Sequence, residues 1–251
     1  MQAVSGSCSL LSIAISILTY FSLTHGSLRQ ACRYENAASS TTPFPDIENA
    51  LTPEGIKLAI IQRLSGLGPR AIVSIYARAI FPWFSFTSES KLDKRFPQTW
   101  KDASVDLTLL AFMISLFDAS PQLPRRCYEL GPDTKSKYML SKSWLALIEG
   151  SGLNSLDLVT VRLLLTLFEM VHGLYPAAYL SIAATIRAAD ILSINNCQDN
   201  NLVRSSGFTY AGVEESSTEL WCYIVVLDRC VHDFISIYCV ISQHTYAIYS
   251  C

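Results

Sequence analysis

Ser88 and Lys91 stand at the Ser-x-x-Lys spacing of one class of serine acyl-transfer enzymes. The companion motifs of that class are absent. A serine ahead of a short charged segment is also a helix N-cap, so Ser88 is assigned as a cap and Lys91 as a solvated side chain. Asp228 and His232, one helical turn apart, have the spacing of a base and the group that orients it. No nucleophile stands beside them, and a local ion pair accounts for both. Cys222 and Cys230 lie two turns apart, too far for one tetrahedral zinc without ligands from elsewhere, and are assigned to the core. The histidines, His25, His172, His232 and His244, form no His-x-x-x-His pair. No Gly-x-Ser-x-Gly, P-loop or dinucleotide-binding glycine motif occurs. Arg125 and Arg126 are a basic spot in a proline-flanked loop, assigned to solvated surface. The chemistry-bearing residues therefore predict a protein that works by binding, with no catalytic, cofactor-binding or metal-ligating residue assigned.

The bulk properties agree. Half of the 251 residues are hydrophobic and only 16% are charged, which excludes disorder and predicts apolar surface that a partner would cover. A net charge of −2 with scattered basic residues gives no electrostatic footprint for nucleic acid. The cysteines at 8, 32, 127, 197, 222, 230, 239 and 251 form no Cys-x-x-Cys pair and no tight cluster, the pattern of buried thiols in a reducing compartment. There is also no Asn-x-Ser/Thr sequon.

Helices must position these residues. Thr52-Pro53-Glu54 supplies a cap, a proline and an acid for a helix that stops near Gly66 and Gly68. Pro69 starts a second, through Ile72, Ile75, Tyr76 and Ala79, ending before Pro82. A short piece follows Ser88 to about Phe96. Ser104–Ala119 is apolar nearly all round and predicts a central helix buried on most sides. Pro132–Gly150 is amphipathic, with Tyr138, Leu140, Trp144, Leu145 and Ile148 among lysines. Ser155 caps a helix to His172 carrying a narrow polar stripe of Arg162, Thr166 and Glu169. Gly173 closes it, and Pro176 opens an alanine-rich helix, which predicts an antiparallel hairpin. After a polar loop, Asn195–Gly212, Ser216-x-x-Glu219 is a capping box for a last helix containing Trp221, Ile224, Val225, Leu227 and Val231.

The expected fold is all-α: antiparallel helix hairpins packed as one domain over 51–234, with irregular terminal segments. Residues 1–50 hold an apolar run, Cys8–Leu23, and a Ser/Thr/Pro linker, Ala37–Pro45; residues 235–251 are an apolar, β-prone tail. The run is shorter than the ~20 residues that span a bilayer, and no Lys or Arg precedes it. It still frames the alternative function, a secreted or membrane-associated helical protein.

Over Leu153–Asn195 the sequence, with the pattern LVTVRLLLTLFEMVHGLYPAAYLSIAATIRAADILSIN, resembles the middle homology region of fungal zinc-cluster (Zn2Cys6) transcription factors. There, a leucine-rich helix ending near a glycine leads into a second helix with an Ala-x-Arg-x-Ala-type core. Tyr179, Ala184, Ile186, Arg187, Ala189, Leu192 and Asn195 occupy those places. The next landmark, a tryptophan followed by Leu-Asp-Arg, is Trp221 with Leu227, Asp228 and Arg229. Upstream, Ile75–Leu92 is similar to the family's opening helix and Pro-aromatic turn. The resemblance, spanning roughly Ile72 to Phe234, implies a regulatory and interaction domain in the nucleus, with protein partners or a homodimer and a small-molecule effector. It implies DNA contact only through a separate module and no membrane. The zinc cluster of that module has no counterpart here, since Cys8 and Cys32 stand alone. Ser216, Ser217, Thr218 and Glu219 also replace the basic residues usual before the tryptophan, and the tail has no family character. The expectation is a truncated or zinc-cluster-less member. Tyr179, Arg187, Ala189, Trp221, Leu227, Asp228 and Arg229 then have structural roles, with Arg187 needing a partner or a wet edge and Asp228/Arg229 locking helices together.

Overall fold

A computed structural model describes residues 52–118 apart from Ser65 and Trp83, residues 130–194, and residues 217–233. Cys8–Leu23, Ala37–Pro45, Arg125-Arg126, the loop Asn195–Gly212, Ser216 and the tail Ile235–Cys251 lie outside the described residues. Within them the chain is helical: α1 (Pro53–Leu64), α2 (Pro69–Ala79), α3 (Glu89–Arg95), a 3-10 turn (Trp100–Asp102), α4 (Val105–Asp118), α5 (Pro132–Gly150), α6 (Leu156–Val171), α7 (Tyr175–Ile191) and α8 (217–233). No strand occurs among the described residues, and the domain is all-α as expected.

α4 is the axle. Every residue from Leu107 to Phe117 is buried, and α1, α2, α5 and α6 all pack against it. Burying a large apolar side chain contributes roughly 1.5–3 kcal/mol, so this one helix is a major source of stability. Its polar residues are satisfied internally: Thr108 and Ser115 each donate to the carbonyl three residues back, at 2.7 Å. α1 turns Ile56, Ile60 and Leu64 inward, and its cap is Thr52, whose hydroxyl accepts from Gly55 N at 3.1 Å. α5 packs Trp144 edge-on against Phe112, with ring centroids 4.9 Å apart.

α6 and α7 form the predicted hairpin. Ser155 Oγ accepts from Leu158 N and starts α6. Gly173, at φ +70°, turns the chain in the left-handed region that costs a side-chain-bearing residue roughly 1–2 kcal/mol. Leu174 N closes the turn on Glu169 O at 2.8 Å, and Pro176 sits in the first turn of α7. The fully buried Ala178 and Ala189 let the two backbones approach.

α8 buries Leu220, Tyr223, Ile224, Leu227, Cys230 and Val231, one face at helical spacing. It docks on the loop between α2 and α3. Tyr223 packs edge-on against Phe84, centroids 4.9 Å apart, and its hydroxyl donates to Ser85 O at 2.7 Å. Tyr76 holds the same loop from beneath, donating to Thr87 O at 2.6 Å.

Candidate functional site

The polar stripe of α6 is the best candidate for chemistry, because it puts charge inside an apolar framework. It faces α5. Glu169 is 0% exposed, and its Oε1 accepts from Tyr138 Oη at 2.6 Å and from Lys142 Nζ at 3.0 Å. Lys142 also reaches Tyr138 Oη at 3.2 Å, and its ammonium lies 5.3 Å from the tyrosine ring centroid. The other oxygen, Oε2, is buried with no protein donor among the described residues. Tyr138 stacks on Phe168, whose ring also meets those of Phe117 and His172. His172 Nδ1 lies 2.8 Å from Phe168 O, and burial holds its imidazole below the ordinary range, so it is neutral near pH 7. Two turns earlier, Arg162 makes a two-pronged ion pair with Glu149 of α5. Thr166, between them, is fully buried and donates to Arg162 O.

A second polar junction forms where α3, α4 and α6 meet. Ser155 Oγ, besides capping α6, donates to Asp106 Oδ2 of α4 at 2.6 Å. Asp106 also accepts from Leu107 N. Burial pushes its carboxyl up, but the bonds from Ser104, Ser155 and Leu107 outweigh that and hold it below the usual range. Asp157, two residues past Ser155, forms an ion pair with Arg95 of α3, with Nη2 2.5 Å from Oδ1. Burial, with help from the charge of Asp106, pushes Asp157 up to about 6 against the pull of Arg95.

Glu169 is sealed from solvent, and every polar partner described comes from a neighbouring helix of the same domain. The Ser88/Lys91 pair is a cap: Ser88 Oγ accepts from Lys91 N at 3.2 Å. Lys91 is not simply solvated, since its ammonium pairs with Glu219 of α8 at 3.5 Å. Cys222 is half-buried and Cys230 buried, its thiol pushed up to about 11 chiefly by burial, which makes it a poor nucleophile. Among the described residues no three His, Cys, Asp or Glu gather to hold a metal, and no helix is long and apolar enough to cross a membrane.

The signature residues occupy separate places. Ala189 and Leu227 are fully buried, Trp221 is half-buried, and Tyr179, on the surface of α7, meets the ring of His232 edge-on at 5.5 Å. Arg187 takes the wet edge: it is exposed, and its Nε donates back to Ala183 O. Among the described residues, neither Asp228 nor Arg229 pairs with another helix. Asp228 pairs with His232 of its own helix at 3.3 Å and Arg229 is exposed, because the face of α8 that docks is the apolar one. Trp144 is buried, and the most exposed large apolar residues among those described are Leu180 and Ile191 of α7. Tyr138, Lys142, Glu169, Asp106, Asp157 and Arg95 were not singled out from the sequence as a site. The signal available was a carboxylate inside a leucine-rich run, which needs a partner. The partner comes from another helix, which helical spacing does not reveal. No family model, curated protein or solved structure matches the chain.

Proposed function

We propose that this domain acts by contact and not by turnover, as a regulatory and interaction region of the fungal zinc-cluster transcription factor type, the zinc-cluster cysteines having no counterpart among these residues. One observation carries the proposal: the three sequence landmarks lie in family order, and the outer two meet in space. Tyr223, next to Trp221 and Cys222 on α8, bonds to Ser85 in the Pro-aromatic turn. Further support is that the charged groups of the core are consumed in holding helices together, as a scaffold requires.

The test has two arms. Fused to a heterologous DNA-binding module in a fungal reporter strain, the chain should change reporter output. Alone, at physiological salt, it should not shift any duplex sequence-selectively. A tight sequence-selective shift by the unfused chain, or a fusion with no effect on the reporter despite normal expression, would refute the proposal. The apolar run Cys8–Leu23 favours the second reading, a secreted or membrane-associated helical protein. Recovery from the culture medium of a chain processed near Gly26 would establish it.

A further inference from the structure

The outward face of α7 is left uncovered by the described residues, and its side chains say what would cover it. Leu180 and Ile191, 69% and 76% exposed, are the most exposed large apolar residues described. Ala184 and Arg187 lie between them, so the four residues follow one another at spacings of four, three and four. Such a seam takes a second helix along its length, here about 16 Å at 1.5 Å per residue. Ala184 is small and half-buried, which leaves room on the seam for a neighbour's larger side chain. Arg187 is exposed, and its Nε donates to Ala183 O at 3.2 Å. Among the described residues no carboxylate pairs with it.

We propose, on the reading of this domain as a contact module, that the α7 face docks an amphipathic helix of another protein. That helix lays apolar residues on Leu180, Ala184 and Ile191 and a Glu or Asp on Arg187.

The charge on the seam decides between occupants. The apolar stretches of this same chain, Cys8–Leu23 and Ile235–Cys251, contain no Asp or Glu and would cover the guanidinium without pairing it. A second copy does no better. Laid in register, a parallel α7 sets Arg187 on Arg187, and an antiparallel one sets it on Ala184. An acid on an incoming helix instead meets the free fork of Nη groups with two parallel hydrogen bonds.

A display library of helical peptides, selected on the immobilised full chain and counter-selected on Leu180→Ala with Ile191→Ala, tests it. The enriched peptides should carry an acid among apolar residues at spacings of three and four. In fluorescence anisotropy, a selected peptide should lose about tenfold in affinity for Arg187→Gln, and about as much when its own acid is changed to the amide. Both changes together should cost little more than either alone, because they remove one contact. The double alanine variant should lose still more affinity. Its unfolding midpoint should hold, since both side chains stand largely in water and alanine favours the helix.

Selected peptides without an acid would overturn the proposal, as would an affinity that Arg187→Gln leaves unchanged. So would a selection yielding no peptide that tells the natural chain from the double variant, or a dimer in sedimentation that the double variant abolishes. A fusion that still changes reporter output after any of these results leaves the contact reading standing and moves its surface elsewhere.

Discussion

Replacing Lys142 with methionine should destabilise the domain far more than its position implies. The side chain is 39% exposed, and an exposed lysine ion pair is ordinarily worth about 0–1 kcal/mol. Here the partner decides the magnitude. Glu169 is 0% exposed and has two donors, Lys142 Nζ at 3.0 Å and Tyr138 Oη at 2.6 Å, both on Oε1. Methionine keeps the packing of the stem but strands the carboxylate with one neutral donor. Breaking a buried pair from one side costs about 3–5 kcal/mol; the part of Lys142 that stays in water sets the expectation at the low end, about 3 kcal/mol. Lys142→Met with Glu169→Leu removes both charges, so the double variant should recover most of the loss. Denaturant unfolding with linear extrapolation, run as a double-mutant cycle at constant m, measures all four corners. Two results would refute the reasoning: a Lys142→Met loss under about 0.5 kcal/mol, or a double variant less stable than Lys142→Met alone.

Ser155→Ala removes the cap on Leu158 N and the donor to Asp106 together, so it should cost more than a simple cap, about 2 kcal/mol in the same assay. Gly173→Ala places a Cβ at φ +70° and should cost roughly 1–2 kcal/mol with no loss of helix content by circular dichroism. The natural chain, expressed alone, should be poorly soluble. Leu180→Lys with Ile191→Glu, at positions 69% and 76% exposed, should raise the soluble yield without lowering the unfolding midpoint.

Elements whose boundaries rest on local chemistry were legible in the sequence. Thr52, Ser88 and Ser155 cap the helices they were expected to cap, and Gly173 turns where a left-handed residue was needed. The uninterrupted apolar character of Ser104–Ala119 correctly marked α4 as the axle, since a helix greasy on all sides has to be surrounded. What escaped was every relation between helices made by side chains far apart in sequence. Lys91 has nothing nearby along the chain to announce Glu219, and Tyr138 meets Glu169 from the preceding helix. A charged pair at a landmark looks like a lock, yet the buried face of α8 is set by Leu220, Ile224, Leu227 and Val231, which turns Arg229 into water.

The polar residues of α6 are better understood as setting its register than as doing chemistry. A leucine-rich helix lying on an apolar axle gains nearly the same burial after sliding a turn or rotating by one ridge, because ridges fit grooves at several positions. Asp157, Arg162 and Glu169 remove that freedom. They stand at successive heights along one helix and meet three different partners: Arg95 of α3, Glu149 of α5, and Tyr138 with Lys142 of α5. Sliding by one turn would leave Glu169, wholly buried, facing apolar atoms, at a cost several times that of the displaced apolar contacts. A catalytic carboxylate needs the opposite arrangement, with one oxygen open to the reacting atoms. Glu169 is enclosed, and so its charge serves to fix the position of α6 against α5.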